Sequence, residues 1–223
     1  MAKKSIVILI SGSGTNLQAI IDAASQGRID AAIAAVISNR ADAMGLQRAR
    51  QADINAVVID QDAYKDRVTY DQALITEIDK YKPDLIVLAG FMRILSDEFI
   101  HHYRNIVLNI HPSLLPEFKG LHTHRRALES GRRLPGASVH FVSNELDSGP
   151  VVLQAEVPVM PDDTETTLAA RVLKQEHIIY PMAIAWYIDG RLKIDGNTVL
   201  LDNKVLHRPA LWKSDRLIVC EAQ

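Results

Sequence analysis

The residues best suited to chemistry stand in Asn109-Ile110-His111-Pro112-Ser113-Leu114-Leu115-Pro116, immediately after the apolar run Ile106-Val107-Leu108. An apolar run that meets a polar pair and then two prolines has to end there, which puts Asn109 and His111 at the carboxyl edge of a buried strand. On an extended backbone the two point to the same side, one offering an amide and the other an imidazole, so the pair can hold one carbonyl oxygen. A carboxylate joins them if the turn Glu145-Leu146-Asp147-Ser148-Gly149-Pro150 folds back and brings Asp147 to the strand end. Amide, imidazole and carboxylate together form acyl-transfer machinery. The carboxylate favours the imidazolium, and a cation beside a reacting carbonyl stabilises the oxyanion of a tetrahedral intermediate. Ser113 is a poor nucleophile candidate, because its segment is bounded by prolines and lacks a Gly-x-Ser-x-Gly elbow.

A second constellation is Ser11-Gly12-Ser13-Gly14-Thr15-Asn16, between the aliphatic run Ile6–Ile10 and a helical pattern carried by Leu17, Ile20, Ile21 and Ala24. Glycines at 12 and 14 let a ligand approach the backbone, and a helix start presents N–H groups and partial positive charge, so a phosphate is the natural guest. The pattern departs from a dinucleotide fingerprint at Leu17, and no Gly-Lys-Ser/Thr follows. A tight turn that binds nothing is the alternative; Thr15 and Asn16 as extra donors favour the anion. Gly90-Phe91-Met92-Arg93-Ile94-Leu95 is a third feature, an apolar loop at a strand end that suits either core packing or the wall of a site for a flat aromatic ligand.

Strand and helix patterns alternate along the chain. Strands are expected at 6–10, 32–37, 56–59, 85–89 and 106–109, with helices from Leu17 until Gly27 ends the pattern, Asp42 to Ala52, Tyr64 to Tyr81 and from Ser96. Such alternation implies right-handed crossovers and a mostly parallel sheet. A helix ending at Ser130, a strand at 136–142 with a hairpin partner at 151–155, and a long helix from Thr164 to Asp189 that Pro181 should bend or interrupt follow in turn. The last thirty-odd residues read as short strands around Gly196-Asn197 and then a tail.

With 223 residues, 48% hydrophobic and 23% charged, the chain has ordinary globular composition, and no linker or repeat divides it. One domain over 1–223 is expected, with about 196–223 as a carboxyl-terminal extension. A net charge of -2 argues against a surface that coats nucleic acid, so no nucleic-acid partner is expected. The one cysteine, Cys220, excludes an intramolecular disulfide and cysteine metal clusters. His122 and His124 lack the i, i+4 spacing and nearby carboxylate of a metal site; they suit a helix cap or a substrate groove, and no metal is expected. Met1-Ala2-Lys3-Lys4 precedes an apolar stretch too short for a signal peptide or a membrane span, so the expectation is a cytoplasmic protein with no membrane partner.

Three segments, Asn109 to Pro116, Ser11-Gly12-Ser13-Gly14-Thr15-Asn16-Leu17-Gln18 and Glu145 to Pro150, carry a resemblance in register from about Lys4 to about Asp195. The chain resembles the phosphoribosylglycinamide formyltransferase family, the folate-dependent transformylases of purine synthesis. The His-Pro-Ser-Leu-Leu-Pro segment is shared by the wider family of 10-formyltetrahydrofolate users; the amino-terminal loop and Gln175-Glu176-His177 narrow the choice.

The resemblance implies an α/β, Rossmann-like formyltransferase fold: a mostly parallel twisted sheet with helices on both faces and an antiparallel strand near the carboxyl end. It implies direct attack by the amine of glycinamide ribonucleotide on 10-formyltetrahydrofolate, used as cosubstrate without a metal. Asn109 and His111 would hold the oxyanion, His111 would donate a proton to the leaving nitrogen, and Asp147 would favour the charged imidazole and organise a proton-relaying water. Gly12, Ser13, Gly14, Thr15 and Asn16 would receive the phosphate, and Glu176 the ribose hydroxyls. The folate would lie along Met92, Arg93, Ile94 and Leu95 beside Asn109, with Arg67 near its glutamate tail; His140 would stand behind the reacting groups. A monomer or weak homodimer is expected. Methionyl-tRNA formyltransferase and formyltetrahydrofolate deformylase resemble the same core but carry, respectively, a carboxyl-terminal or an amino-terminal domain for which this chain is expected to leave no room.

Overall fold

The computed structural model describes residues 3–219; Met1, Ala2 and Cys220 lie outside the described residues. The chain forms two compact units, Met1–Asn109 and Ile110–Gln223.

In the first unit the elements are β1 (Lys4–Ile10), α1 (Thr15–Ser25), β2 (Ala31–Ser38), α2 (Met44–Gln51), β3 (Asn55–Val58), α3 (Arg67–Ile78), β4 (Leu85–Leu88), α4 (Asp97–His102) and β5 (Val107–His111). Ile6 to Ile10 and Leu85 to Val87 are fully buried, the continuous aliphatic form of parallel strands covered on both faces. The strands pair in parallel in the order β3-β2-β1-β4-β5. The chain runs outward from β1 to β3, and α3 then returns it to the other side of β1. The direction of winding therefore reverses between β1 and β4, and ligand loops belong at the carboxyl ends of such a pair. Those loops are tied together: Ser11 N–H donates to the Gly90 carbonyl (3.2 Å) and Met92 N–H to the Ser11 hydroxyl (2.8 Å).

Two boundaries differ from expectation. The helix expected over Tyr64 to Tyr81 is shorter, because the Asp66 carboxylate accepts Thr69 N–H at 2.8 Å and caps α3, and a 3-10 turn at Asp79–Tyr81 closes it ahead of Pro83. The strand expected to end at Asn109 continues through His111 and stops only at Pro112.

The second unit opens with the last two residues of β5 and contains α5 (Thr123–Glu129), β6 (Gly136–Phe141), β7 (Val151–Glu156), α6 (Glu165–Ile188), β8 (Leu192–Asp195), β9 (Thr198–Leu201), β10 (Lys204–Val205), β11 (Ala210–Lys213) and β12 (Arg216–Ile218). β6 and β7 form the expected antiparallel hairpin, and α6 packs on both. Thr164 and Thr167 cap α6 reciprocally. Pro181 does not interrupt it: the proline removes one backbone bond, while Tyr180, Ala183 and Ile184 around it are fully buried, and that burial offsets a cost of about 3 kcal/mol.

The stretch beyond Asp195 is more than a tail. β11 adds in parallel to β7, β12 adds antiparallel to β11, and β8, β9 and β10 form a separate antiparallel sheet. The α/β class, with mostly parallel pairing and antiparallel strands towards the carboxyl end, is therefore the one expected. Among the described residues, no helix is long and apolar enough to cross a membrane.

Candidate active site

β5 delivers His111 to a buried position, its side chain 7% exposed. The turn after β6 brings Asp147 back with backbone φ of 49° and places its Oδ2 3.4 Å from His111 Nδ1. The other ring nitrogen, Nε2, lies 3.0 Å from the Phe118 carbonyl oxygen, which can only accept. Both ring nitrogens therefore face oxygen atoms, a carboxylate on one side and a backbone carbonyl on the other.

Asp147 is itself fixed. Its Oδ2 accepts Gly120 N–H at 2.9 Å, and its Oδ1 lies 3.7 Å from His140 Nε2. His140 is 2% exposed and directs Nδ1 at the Phe141 carbonyl (2.9 Å). Burial pushes this imidazole down to about 4, against the opposing pull of the Phe141 carbonyl and the Asp147 carboxylate. The unfolded chain, with a histidine at about 6.5, then binds more protons than the folded chain between that value and about 4. His140 thus contributes stability that is complete above the upper end of this window and is lost as pH falls through it. Thermal melts from pH 7 to 4.5 should show that loss, and His140→Gln should flatten the slope; an unchanged slope would assign it to other groups.

Ser113 cannot act as a free nucleophile, since its hydroxyl donates to the Glu117 carbonyl at 2.6 Å and the residue is 1% exposed. The Ser138 hydroxyl donates to Ser113 O and accepts Leu115 N–H, fastening the proline-bounded segment to β6. His122 starts α5 through its backbone, and its side chain makes no cap. His124 is half-buried with Nδ1 unpaired. Among the described residues, no three side chains converge as a metal site requires.

In the first unit, Gly14 has φ of 69° and is the N-cap of α1, which has neither a side-chain cap nor an acidic residue in its first turn. Such a helix start is open to an anion. In the loop after β4, Met92 and Ile94 are 71% and 56% exposed, whereas Leu95 is buried and Arg93 turns inward. The Arg93 guanidinium stacks 4.1 Å over Tyr70 and donates to Gln61 Oε1. Arg67 is exposed at the first position of α3. Asn109, at the carboxyl end of the first unit's strands, is paired across to Leu88 in register. Glu176 is buried on α6.

Sequence reasoning missed two supports of these loops. Asp71 accepts Ser96 N–H at 2.6 Å, and burial pushes its carboxyl up. Arg48 donates through Nε to the Ser13 carbonyl at 2.9 Å. Neither carries a local sequence signal, because each partner lies far along the chain.

The family model described as Formyl transferase matches residues 4–184. Over 202 residues the chain is 57% identical to phosphoribosylglycinamide formyltransferase of Escherichia coli strain K12, covering 91% of this chain and 95% of that protein. It is 48% identical over 203 residues to the protein of the same name from Haemophilus influenzae, covering 91% and 96%. Among solved structures, phosphoribosylglycinamide formyltransferase of Coxiella burnetii superposes with a TM-score of 0.88 at 51% identity, covering 92% of this chain and 96% of that one. A strand-borne imidazole held by a carboxylate, a glycine loop at a helix start and a family match through both units lead to one statement: the chain belongs to the formyl transferase family.

Proposed function

We propose that the protein is a phosphoribosylglycinamide formyltransferase, which moves the formyl group of 10-formyltetrahydrofolate to the amine of glycinamide ribonucleotide in purine synthesis. The observation that carries the mechanism is the buried His111, with the Asp147 carboxylate 3.4 Å from one nitrogen and an acceptor carbonyl at the other.

The amine lone pair attacks the formyl carbon, a C–N bond forms, and the carbonyl electron pair moves to oxygen. Asn109 and, once its Nε2–H leaves the Phe118 carbonyl, His111, alternate residues of β5, hold that oxyanion. The attacking nitrogen loses a proton to water organised by Asp147. Collapse of the intermediate breaks the bond to the folate nitrogen, which takes the His111 Nε2 proton; the relayed proton restores the imidazolium. His140 is a positioning residue that holds Asp147 from behind.

The phosphate sits against Gly12, Ser13, Gly14, Thr15 and Asn16, and Glu176 takes the ribose hydroxyls. The folate lies along Met92 to Leu95 beside Asn109. Exposed apolar side chains at Met92 and Ile94 suit a flat ring, and exposed Arg67 suits an anionic tail. The family match across 4–184 supports a formyltransferase domain over most of the chain, within a single domain over 1–223 with about 196–223 as a carboxyl-terminal extension. The net charge of -2 favours a protein without a nucleic-acid partner, and the resemblance to the family implies one that acts in the cytoplasm as a monomer or weak homodimer.

Mixing enzyme with 10-formyltetrahydrofolate, with and without glycinamide ribonucleotide, tests the reading. Folate deformylation is expected only when the amine is present; turnover indifferent to the ribonucleotide would identify water as the acceptor and refute the proposal.

A further inference from the structure

Arg48, on α2, plays no part in the mechanism above, yet it reaches the glycine loop. Its Nε donates to the Ser13 carbonyl (2.9 Å) and its terminal nitrogen to Gln18 Oε1 on α1 (3.2 Å). One planar guanidinium therefore spans the loop and the first helical turns that follow it. The contact is reinforced by backbone. Gly45 N–H donates to the Gly12 carbonyl at 3.0 Å, and a Cβ on Gly45 would lie 2.5 Å from Ile10 Cδ1 and 3.3 Å from Gly14 Cα. The start of α2 thus lies against Gly12 and Gly14, where a methyl at 45 would have to displace the end of the Ile10 side chain.

We infer that Arg48 is a positioning residue for ribonucleotide binding: its guanidinium fork fixes the Ser13 carbonyl and the start of α1 so that the loop's N–H groups converge on the phosphate. Turning the Ser13 carbonyl towards Arg48 also keeps that oxygen from facing an anion. The positive charge of the same group stands beside the loop, where it adds to the field of the helix start. This inference rests on the reading of Gly12 to Asn16 as the phosphate site.

The test uses steady-state kinetics of Arg48→Met and Arg48→Lys in the full chain, with inorganic phosphate as a competitor of the ribonucleotide. Losing charge-assisted hydrogen bonds that orient the loop should raise the ribonucleotide KM of Arg48→Met by about 10-fold or more and weaken phosphate inhibition in parallel, with the formyl folate KM unmoved. Arg48→Lys keeps the charge and loses the fork, so it should stay close to Arg48→Met, and added guanidinium ion should restore part of the loss in Arg48→Met. A parent-like ribonucleotide KM in Arg48→Met overturns the inference. A parent-like KM in Arg48→Lys reduces the role to charge alone and overturns positioning by the fork. If Arg48→Met folds poorly, Arg48→Lys carries the test: a raised ribonucleotide KM with the formyl folate KM unmoved is expected, and equal loss for both substrates overturns the inference. Should phosphate fail to compete in the parent protein while Gly14→Ala leaves the ribonucleotide KM unchanged, the phosphate-site reading itself falls, and this inference with it.

Discussion

His111→Ala is expected to lower turnover by about 10³-fold while the ribonucleotide still binds, because the substitution removes an oxyanion donor and the acid for the leaving nitrogen together. A group that acts mainly in the transition state lowers kcat and kcat/KM alike and leaves ground-state affinity in place. Asp147→Asn should reach at least ~10²-fold, since the amide removes the charge facing His111 Nδ1 although its oxygen can still accept Gly120 N–H. The two residues act as a unit, so the double variant should be little worse than His111→Ala alone. Rapid-quench turnover and calorimetric titration of each variant with the ribonucleotide separate the two effects. Binding lost in proportion to rate would make His111 a substrate anchor and remove its catalytic role.

Gly14→Val carries the second large effect. Gly14 adopts φ of 69°, where a β-branched side chain is strongly disfavoured, and a Cβ there would lie 2.6 Å from Gly45 Cα, which is backbone and cannot rotate away. The loop must shift, and with it the start of α1. Ribonucleotide affinity should fall by ~10²-fold or more, since a misplacement of about 1 Å at a site of converging donors costs that much. Formyl folate affinity should change far less. Calorimetry with each ligand, beside a thermal melt that verifies folding, checks the split; unchanged ribonucleotide affinity would exclude the loop from the phosphate site.

Much of this arrangement was legible in the residues. Ile6 to Ile10 announces a buried parallel strand because aliphatic residues occupy both of its faces, and Gly12 with Gly14 marks the turn after it. The strand-end position of His111 follows from Pro112, although β5 runs through the histidine where the sequence suggests a stop at Asn109. Asp147 was a conditional partner, since nothing in the spacing from 111 to 147 fixes how a hairpin turn folds back; the turn closes through the Oδ2 contact to Gly120 N–H. Arg48 and Asp71 were hidden for a common reason. A polar side chain on an amphipathic helix reads as solvated surface until the fold supplies its partner, here Ser13 and Ser96 respectively. The inward turn of Arg93 within the exposed Met92-Ile94 loop was equally silent, because it depends on the ring of Tyr70. β11 was unreadable as an addition to β7, since four residues carry too little pattern to name a distant parallel partner.

The central claim is direct transfer of the formyl group to an amine at the His111–Asp147 site. It is tested most directly by following 10-formyltetrahydrofolate labelled with carbon-14 in the formyl group through a turnover with glycinamide ribonucleotide. All of the lost label is expected in the formylated amide, in equal amount to the tetrahydrofolate released, with none in free formate, and His111→Ala should slow both products together. Labelled formate that accumulates at the same rate with or without the ribonucleotide would contradict the account.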